Sequence, residues 1–340
     1  MEFPRTRKAG SIAYKASDSE SLRIPRGTVI HYMTARLTGQ LTVAGANNTS
    51  AKTLPGDGWA AVRNFKIKLD HQDDIMQLSG TELLHLMYVL GQQPPRDRRL
   101  LLGDGSTANP NIDHTVLIPF LLPGSRVPRM TALDLRGRRH SDAKVEIDWG
   151  SHLSVNADAT GWTVAPSIAL GLHEITNVKP GRKYGLLDVA RRIKVAVSAT
   201  NSSLQVDMPT SDWCLGWMVR ATDAAVDSGS IINNFKWKTG GVDQLDIAAP
   251  VLQELMLQKL GLNRSFSGTA YDDEFISDNT NFAGWYVYRR DWDGDPSHAL
   301  PAGAITENKL ELDVTVGGGA TEITIVPIIV RPSSRVAPAA

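Results

Sequence analysis

The sequence lacks several features that would assign it to a class at once. Its single cysteine, Cys214, excludes a disulfide within the chain. Lysine plus arginine and aspartate plus glutamate both number 36, so the net charge is zero. Proteins that coat nucleic acids need a basic surface to neutralise phosphates, so this balance argues against sequence-specific or general nucleic-acid binding as the main role.

Long apolar runs are also missing. The longest nearly unbroken one, residues 116–123, is far shorter than the roughly 20 residues that a membrane-spanning helix needs. The first residues, MEFPRTRKAG, contain basic side chains but no apolar core that would predict a secretory signal. We therefore expect a protein made in a cytosol.

Recognisable catalytic motifs are missing as well. The eight histidines do not fall at zinc-binding spacings, and the sequence contains no nucleophile elbow, P-loop or dinucleotide-binding glycine motif. We expect no catalytic residues and no cofactor, so the protein is not expected to be an enzyme. Cys214 lies between Trp213 and Leu215 and is interpreted as a small buried residue, and His85 as a structural residue of a helix.

One pentapeptide occurs almost unchanged twice, and it reveals an internal repeat. NFKIK occupies residues 64–68, and NFKWK occupies residues 234–238, at an offset of 170. In both copies large apolar residues alternate with lysines, the period of a half-buried strand.

A helix with its own start and stop signals follows each pentapeptide. In the first copy Ser79 and Glu82 form a capping-box pattern, an apolar stripe follows, and Gly91 ends the segment. In the second copy Pro250 lies where a first helical residue is expected, and Gly261 marks the end.

Two further blocks recur in the same order. Arg36 and Arg220 lie in similar segments before the pentapeptides, and residues 144–150 and 309–317 alternate like strands after them. Three matched blocks in one order indicate that the chain contains two copies of one domain.

Outside these helices the sequence predicts an all-β protein. Many short alternating runs are separated by turn-rich links, a pattern typical of sandwiches and barrels. About 150 residues per copy fits an eight-stranded jelly roll with long loops. We predict an N-terminal arm at residues 1–19, a first jelly roll at 20–185, a second at 186–333 and a tail at 334–340, with long loops at 44–58, 92–113, 150–166 and 263–284.

The tandem pattern resembles a known family. Two similar jelly rolls, each with a strand followed by a capped helix, together with the TALDLR segment at residues 131–136, resemble the double jelly-roll major capsid proteins of tailless icosahedral viruses, the tectivirus, corticovirus and adenovirus-like lineage. The resemblance covers residues 20–333 but includes no diagnostic signature.

The resemblance implies a location and a set of partners. Such proteins form homotrimers that make pseudo-hexagonal capsomers, which contact neighbouring capsomers and minor capsid and vertex proteins in the virion capsid of a phage assembled in the host cytoplasm. In many members the N-terminus faces an internal membrane, and Arg5, Arg7 and Lys8 would suit contact with anionic lipid.

One segment has the composition of a metal site. Asp291, Asp293 and Asp295 lie in DWDGDPSH, and clustered carboxylates on a turn can bind calcium. The spacing differs from that of an EF-hand loop, so a solvated acidic turn is the competing interpretation. Residues 272–274 form a second acidic cluster with the same two interpretations.

Two other functions remain open at this point. A tandem β-sandwich that binds or cleaves carbohydrate would use tryptophans such as Trp162 or Trp292 with acidic partners. A bicupin enzyme would need histidines repeated in both copies, but His71 and His85 align with Gly241 and Leu255, which argues strongly against it. Trp59 and Trp292, beside predicted loops, are candidate interface residues.

Overall fold

The computed structural model describes twelve stretches of the chain, which divide into two compact units between Leu186 and Leu187. The described residues are 3–43, 57–70, 73–91, 111–122, 131–136, 140, 142–156, 159–178, 185–210, 212–259, 282–292 and 306–331. Within these ranges neither helix is long and apolar enough to cross a bilayer.

The first unit is built from two antiparallel sheets. Its strands are β1 (Phe3–Ala13), β2 (Ser19–Arg23), β3 (Val29–Val43), β4 (Val62–Leu69), β5 (Asp73–Leu78), β6 (Asn111–Pro119), β7 (Leu133–Asp134), β8 (Ala143–Trp149) and β9 (Ala159–Thr176). One sheet has the order β1-β9-β3-β6, with the short β7 beside β3, and the other has the order β2-β8-β4-β5. Apart from the two-residue β7, these are eight strands divided between two sheets, the arrangement of a jelly roll.

The second unit repeats this arrangement. Its strands are β10 (Leu186–Asp188), β11 (Ile193–Val197), β12 (Asn201–Asp207), β13 (Trp213–Asp223), β14 (Val226–Asp227), β15 (Ile232–Thr239), β16 (Val242–Ala248), β17 (Trp285–Arg289), β18 (Asn308–Val314) and β19 (Thr321–Arg331). The sheet β11-β19-β13-β17, extended by β10 and β14, faces the sheet β12-β18-β15-β16. The predicted fold class, two tandem jelly rolls, is confirmed.

The repeated pentapeptide is one strand of the duplicated roll. NFKIK lies in β4 and pairs with β8, and NFKWK lies in β15 and pairs with β18. Phe65 and Phe235 point inward and are fully buried, whereas the lysines point outward. The two other matched blocks are also structurally equivalent, because they form β3 and β13, and β8 and β18.

The helix predictions hold, including the first helix start. Helix α1 (Gly80–Gly91) begins with a reciprocal capping box. The Ser79 backbone N–H donates to Glu82 Oε2 at 2.7 Å, and the Glu82 N–H donates to Ser79 Oγ at 3.3 Å. Helix α2 (Ala249–Lys259) has Pro250 in its first turn.

The link before each helix differs from the prediction. Between the pentapeptide strand and the helix lies a further strand, β5 in the first unit and β16 in the second. Each of them forms the edge of its sheet. The equivalence of α1 and α2 therefore includes the strand before each helix as well as the helix itself.

The predicted N-terminal arm at residues 1–19 is wrong for most of its length. Residues 3–13 form β1, which pairs antiparallel with β9 along ten residues. The loop predicted at 150–166 is also shorter, because it contains a 3-10 turn at His152–Ser154 and because β9 begins at Ala159. The tail predicted at 334–340 and most of the other predicted loops lie outside the described residues.

Each unit has its own apolar core between its sheets. In the second unit Trp217 stacks on Phe235 with ring centroids 5.1 Å apart, joining the two sheets. Cys214 is buried, as predicted. Trp59, a predicted interface residue, is instead fully buried, and its Nε1–H donates to His114 Nδ1 at 2.7 Å.

Candidate functional site

The outer faces of the two four-stranded sheets carry the same pattern of charges. In the first unit the outward residues of β4 lie opposite those of β8, and in the second unit those of β15 lie opposite those of β18. The opposed pairs are Asn64 and Asp148, Lys66 and Glu146, Lys68 and Lys144, then Asn234 and Asp313, Lys236 and Glu311, and Lys238 and Lys309. We call these two surfaces the lysine–carboxylate faces.

In the first unit the face is a connected ionic network centred on Glu146. Its carboxylate lies 3.0 Å from Lys68 Nζ, 3.1 Å from Lys144 Nζ and 3.4 Å from Lys66 Nζ. Lys66 Nζ also lies 2.7 Å from Asp148. Because these side chains are only 15–26% exposed, screening by solvent is partial.

In the second unit the face is more open and includes acidic residues of the edge strand. Lys238 forms a close ion pair with Glu311, as Lys68 does with Glu146. Lys236 Nζ lies 3.2 Å from Asp243 on β16, which is 47% exposed. The ionic pattern is thus retained between the repeats, while its surroundings differ.

The lysines determine the ionisation of these carboxylates. Partial burial acts to raise the pKa of Glu146, but hydrogen bonds from Lys68 and Lys144 outweigh it and lower the pKa to about 2. The hydrogen bond from Lys238 likewise lowers the pKa of Glu311. Both carboxylates are therefore ionised at neutral pH, and the faces are suited to polar contacts rather than to proton transfer.

A second kind of polar feature lies in the interior of the first unit. The side chain of Glu174 on β9 is fully buried, and it accepts from Arg5 Nε at 2.7 Å and from Arg7 at 3.0 Å. Thr28 Oγ1 donates to the same carboxylate at 2.7 Å. We call these four residues the Glu174 cluster. Arg5 and Arg7 thus hold β1 to its own sheet, and the lipid contact expected of Arg5, Arg7 and Lys8 stays a prediction.

Among the described residues of the second unit, two ion pairs have a fully buried carboxylate. Arg331 Nε on β19 donates to Asp188 Oδ2 on β10 at 2.6 Å, and the Asp188 side chain is fully buried. Burial raises the pKa of Asp188, and Arg331 opposes that rise. On β17, the Arg289 side chain is 1% exposed and binds Asp291.

That contact bears on the predicted calcium site. Both carboxylate oxygens of Asp291 accept hydrogen bonds from Arg289, at 2.9 and 2.7 Å, so this residue already has a cationic partner. Asp293, Asp295 and the second acidic cluster at 272–274 lie outside the described residues. In the described part of the chain no three acidic, histidine or cysteine side chains are placed to hold a metal. Calcium binding stays a prediction, tested by whether a chelator lowers the melting temperature.

The tryptophans proposed for sugar binding are both partly buried. Trp162 lies edge-on to Tyr14 with centroids 5.8 Å apart, and Trp292 packs in the same way against Tyr288 at 5.5 Å. Trp292 also belongs to the margin of the core of the second unit. Both rings thus contribute to internal packing.

Sequence reasoning missed the Glu174 cluster, although the sequence contains a signal for it. Ile168, Leu170 and Leu172 are the inward residues of β9, and Glu174 continues their period. A carboxylate in the apolar register of a strand has to be paired when it is buried. That pattern predicts a cationic partner, which the basic residues near the N-terminus supply.

The sequence matches no family model and no curated protein. Solved structures nevertheless match along almost the whole chain. The major capsid protein of the Sulfolobus turreted icosahedral virus is similar with a TM-score of 0.71 at 13% identity, covering 99% of this chain and 100% of that chain.

Two further structures give the same result. The major capsid protein P2 of bacteriophage PM2 has a TM-score of 0.61 at 13% identity, covering 98% of this chain and 99% of its own. The capsid of the virus PBCV-1 has a TM-score of 0.62 at 11% identity, covering 97% and 94%. At these identities the likeness establishes the fold, a double jelly roll of the kind found in major capsid proteins.

Proposed function

We propose that the chain is a structural subunit of an icosahedral viral capsid and that it catalyses no reaction. The observation that supports this role is the tandem architecture. In the three comparisons above, the matched region covers at least 94% of this chain and at least 94% of the viral capsid protein. A single jelly roll occurs in proteins of many functions, so the tandem pair is more informative than either roll alone.

The proposed assembly unit is a homotrimer. Each chain contributes two similar rolls, so three chains around a threefold axis supply six similar blocks, and such a capsomer can tile a shell with pseudo-hexagonal symmetry. Neighbouring capsomers, minor capsid proteins and vertex proteins are the proposed partners in a phage virion assembled in the host cytoplasm.

An internal membrane remains part of this proposal, and at the N-terminal strand the exposed Lys8 and the half-exposed Arg5 are the groups proposed to contact its lipid. Arg5 and Arg7 bind the buried Glu174, and β1 is a paired strand. Lipid contact at that end would have to compete with these internal ion pairs.

Electron microscopy of the purified protein, combined with mass measurement, tests the proposal. We expect particles of about three times the 37.0 kDa chain mass with a hexagonal outline, or closed shells. Compact monomers at micromolar concentration would contradict the capsid role. Monomers that also bind glycans on an array would favour the tandem carbohydrate-binding sandwich instead.

A further inference from the structure

In each unit an ion pair joins an edge strand to the inner strand beside it. The strand that supplies the cation in one unit supplies the carboxylate in the other. In the first unit, Phe3–Lys8 of β1 pairs with the C-terminal part of β9, and the rest of β1 pairs with the preceding residues. In the second unit β11 pairs with residues 321–325 of β19, and β10 is a further neighbour of β19. Together β10 and β11 thus occupy, beside β19, the position that β1 occupies beside β9.

The charges are exchanged between the units at this end of the sheet, although Arg331 lies two residues beyond Ile329, the residue of β19 that corresponds to Glu174. In the first unit the edge strand supplies the cations, Arg5 and Arg7, and the inner strand supplies the carboxylate, Glu174. In the second unit the edge strand supplies the carboxylate, Asp188, and the inner strand supplies the cation, Arg331. Both carboxylate side chains are 0% exposed.

The lysine–carboxylate faces do not share this inversion. Lys68 pairs with Glu146 and Lys238 pairs with Glu311, so cations on the pentapeptide strand meet a carboxylate on its neighbour in both units. A pentapeptide strand that paired with the wrong neighbour would meet the same charges as in the correct pairing. These faces therefore cannot tell one repeat from the other during folding.

A duplicated chain needs such discrimination. β1 must find β9 across about 160 residues, and long-range strand pairing of this kind is slow and prone to misassembly between similar domains. β19 offers a second long inner strand, which is apolar and buried along most of its length. If β1 paired with β19 in the equivalent register, Arg5 would face Ile329 instead of Glu174 and would lie diagonally beside Arg331. Glu174 would then be left beside Asp188. Like charges or unpaired charges in a buried position are strongly unfavourable.

We propose that the inverted polarity of the Glu174 cluster and the Asp188–Arg331 pair selects the correct partner strand for each edge strand, so that each jelly roll closes on itself rather than on its sibling repeat. This difference in the placement of charges distinguishes the two repeats. It does not distinguish two copies of the chain, because a β1 strand from another copy carries the same charges.

Refolding of full-length charge-exchange variants tests this proposal. The double variant D188R/R331E keeps opposite charges within the second unit but gives it the polarity of the first. The fivefold variant R5E/R7E/E174R/D188R/R331E inverts both units, which restores the difference in polarity. It also shares every substitution of the double variant, so it controls for local disturbance around Asp188.

An engineered disulfide between β1 and β9 measures how many chains have β1 paired with β9. Thr6 and His173 are facing partners, with Thr6 Oγ1 3.1 Å from His173 Nδ1, so T6C and H173C added to each chain can oxidise when β1 lies on β9. We expect the ratio of cross-linked to uncross-linked chains after refolding to fall by about fivefold in the double variant, given the weight of cross-strand charge pairs. We expect the ratio to recover in the fivefold variant.

Two outcomes would overturn the proposal. One is an unchanged ratio in the double variant, which would mean that polarity does not select the strand. The other is a fivefold variant no better than the double variant, which would assign the loss to local damage at Asp188 and Arg331.

Discussion

Glu146 shows how one residue links the repeated pentapeptide to stability. It forms ion pairs with Lys66, Lys68 and Lys144 on the outer face of the sheet, and its pKa is lowered to about 2. A carboxylate with a lowered pKa in the folded state stabilises the fold above its unfolded pKa, near 4.5, and loses this contribution as the pH falls from there toward 2.

The variant Glu146→Gln tests this linkage. We expect it to lower the free energy of unfolding at pH 7 by about 1 kcal/mol, the range of partly exposed ion pairs. We also expect its loss of stability between pH 4.5 and pH 2 to be smaller than that of the parent chain. Denaturant unfolding followed across this pH range measures both. Parallel pH curves for the two proteins would contradict the assignment.

Substitution of Glu174 should lower the free energy of unfolding more than substitution of Glu146, because the Glu174 side chain is fully buried. The variant Glu174→Gln retains the shape but leaves Arg5 and Arg7 without a carboxylate, and breaking a buried ion pair costs about 3 kcal/mol or more. The matched control is Asp113→Asn, which breaks the ion pair with Arg36 at side chains 55% and 39% exposed, and which should cost less than about 1 kcal/mol. Chemical denaturation of both variants compares them, and equal losses would argue against burial as the cause.

Whole elements could be predicted where their signals are local. Ser79 and Glu82 stand three residues apart and make the two hydrogen bonds that their spacing predicts. β1 could not be predicted in this way. Most of its side chains are exposed and several are basic, so it resembles a solvated tail. What makes it a strand is β9, about 160 residues away, together with Glu174.

Calcium binding at Asp291 stays a prediction, but the partner of this residue could not be predicted for a related reason. Clustered aspartates suggested calcium at Asp291, but the spatial partner of this residue is Arg289, two positions earlier on β17. Local composition identifies charge, whereas the partner of a charge depends on how a strand turns its side chains. β5 and β16 were missed because each is a short edge strand beside a turn.

The capping box gives a prediction at the scale of the helix. Ser79→Ala removes the acceptor for the Glu82 N–H and should destabilise the first unit by about 1 kcal/mol. Ser151 provides the control, because it precedes a 3-10 turn and makes no cap hydrogen bond through its side chain, so Ser151→Ala should change stability far less. Thermal unfolding of the two variants measures the difference. A comparable loss in both would show that the side-chain cap is not what stabilises α1.

At the scale of the whole molecule, the balance of charges bears on assembly. The chain has no net charge at pH 7, and its isoelectric point is about 7.1. A protein near its isoelectric point experiences little overall repulsion between copies, which favours association. Each lysine–carboxylate face sets three lysines against two carboxylates, so it carries little net charge and adds little repulsion at the surface of its unit.

Self-association should therefore peak near pH 7 at low salt and decline on both sides. Light scattering across pH at fixed protein concentration measures this. Two exposed positions, Ser202 and Val226, allow a shift of the isoelectric point in either direction. Lysine at both should move the peak to higher pH, and glutamate at both should move it to lower pH. Since each pair of variants removes the same native side chains, opposite shifts can only come from charge. A peak that stayed in place in both would show that specific contacts, rather than net charge, set the pH dependence of assembly.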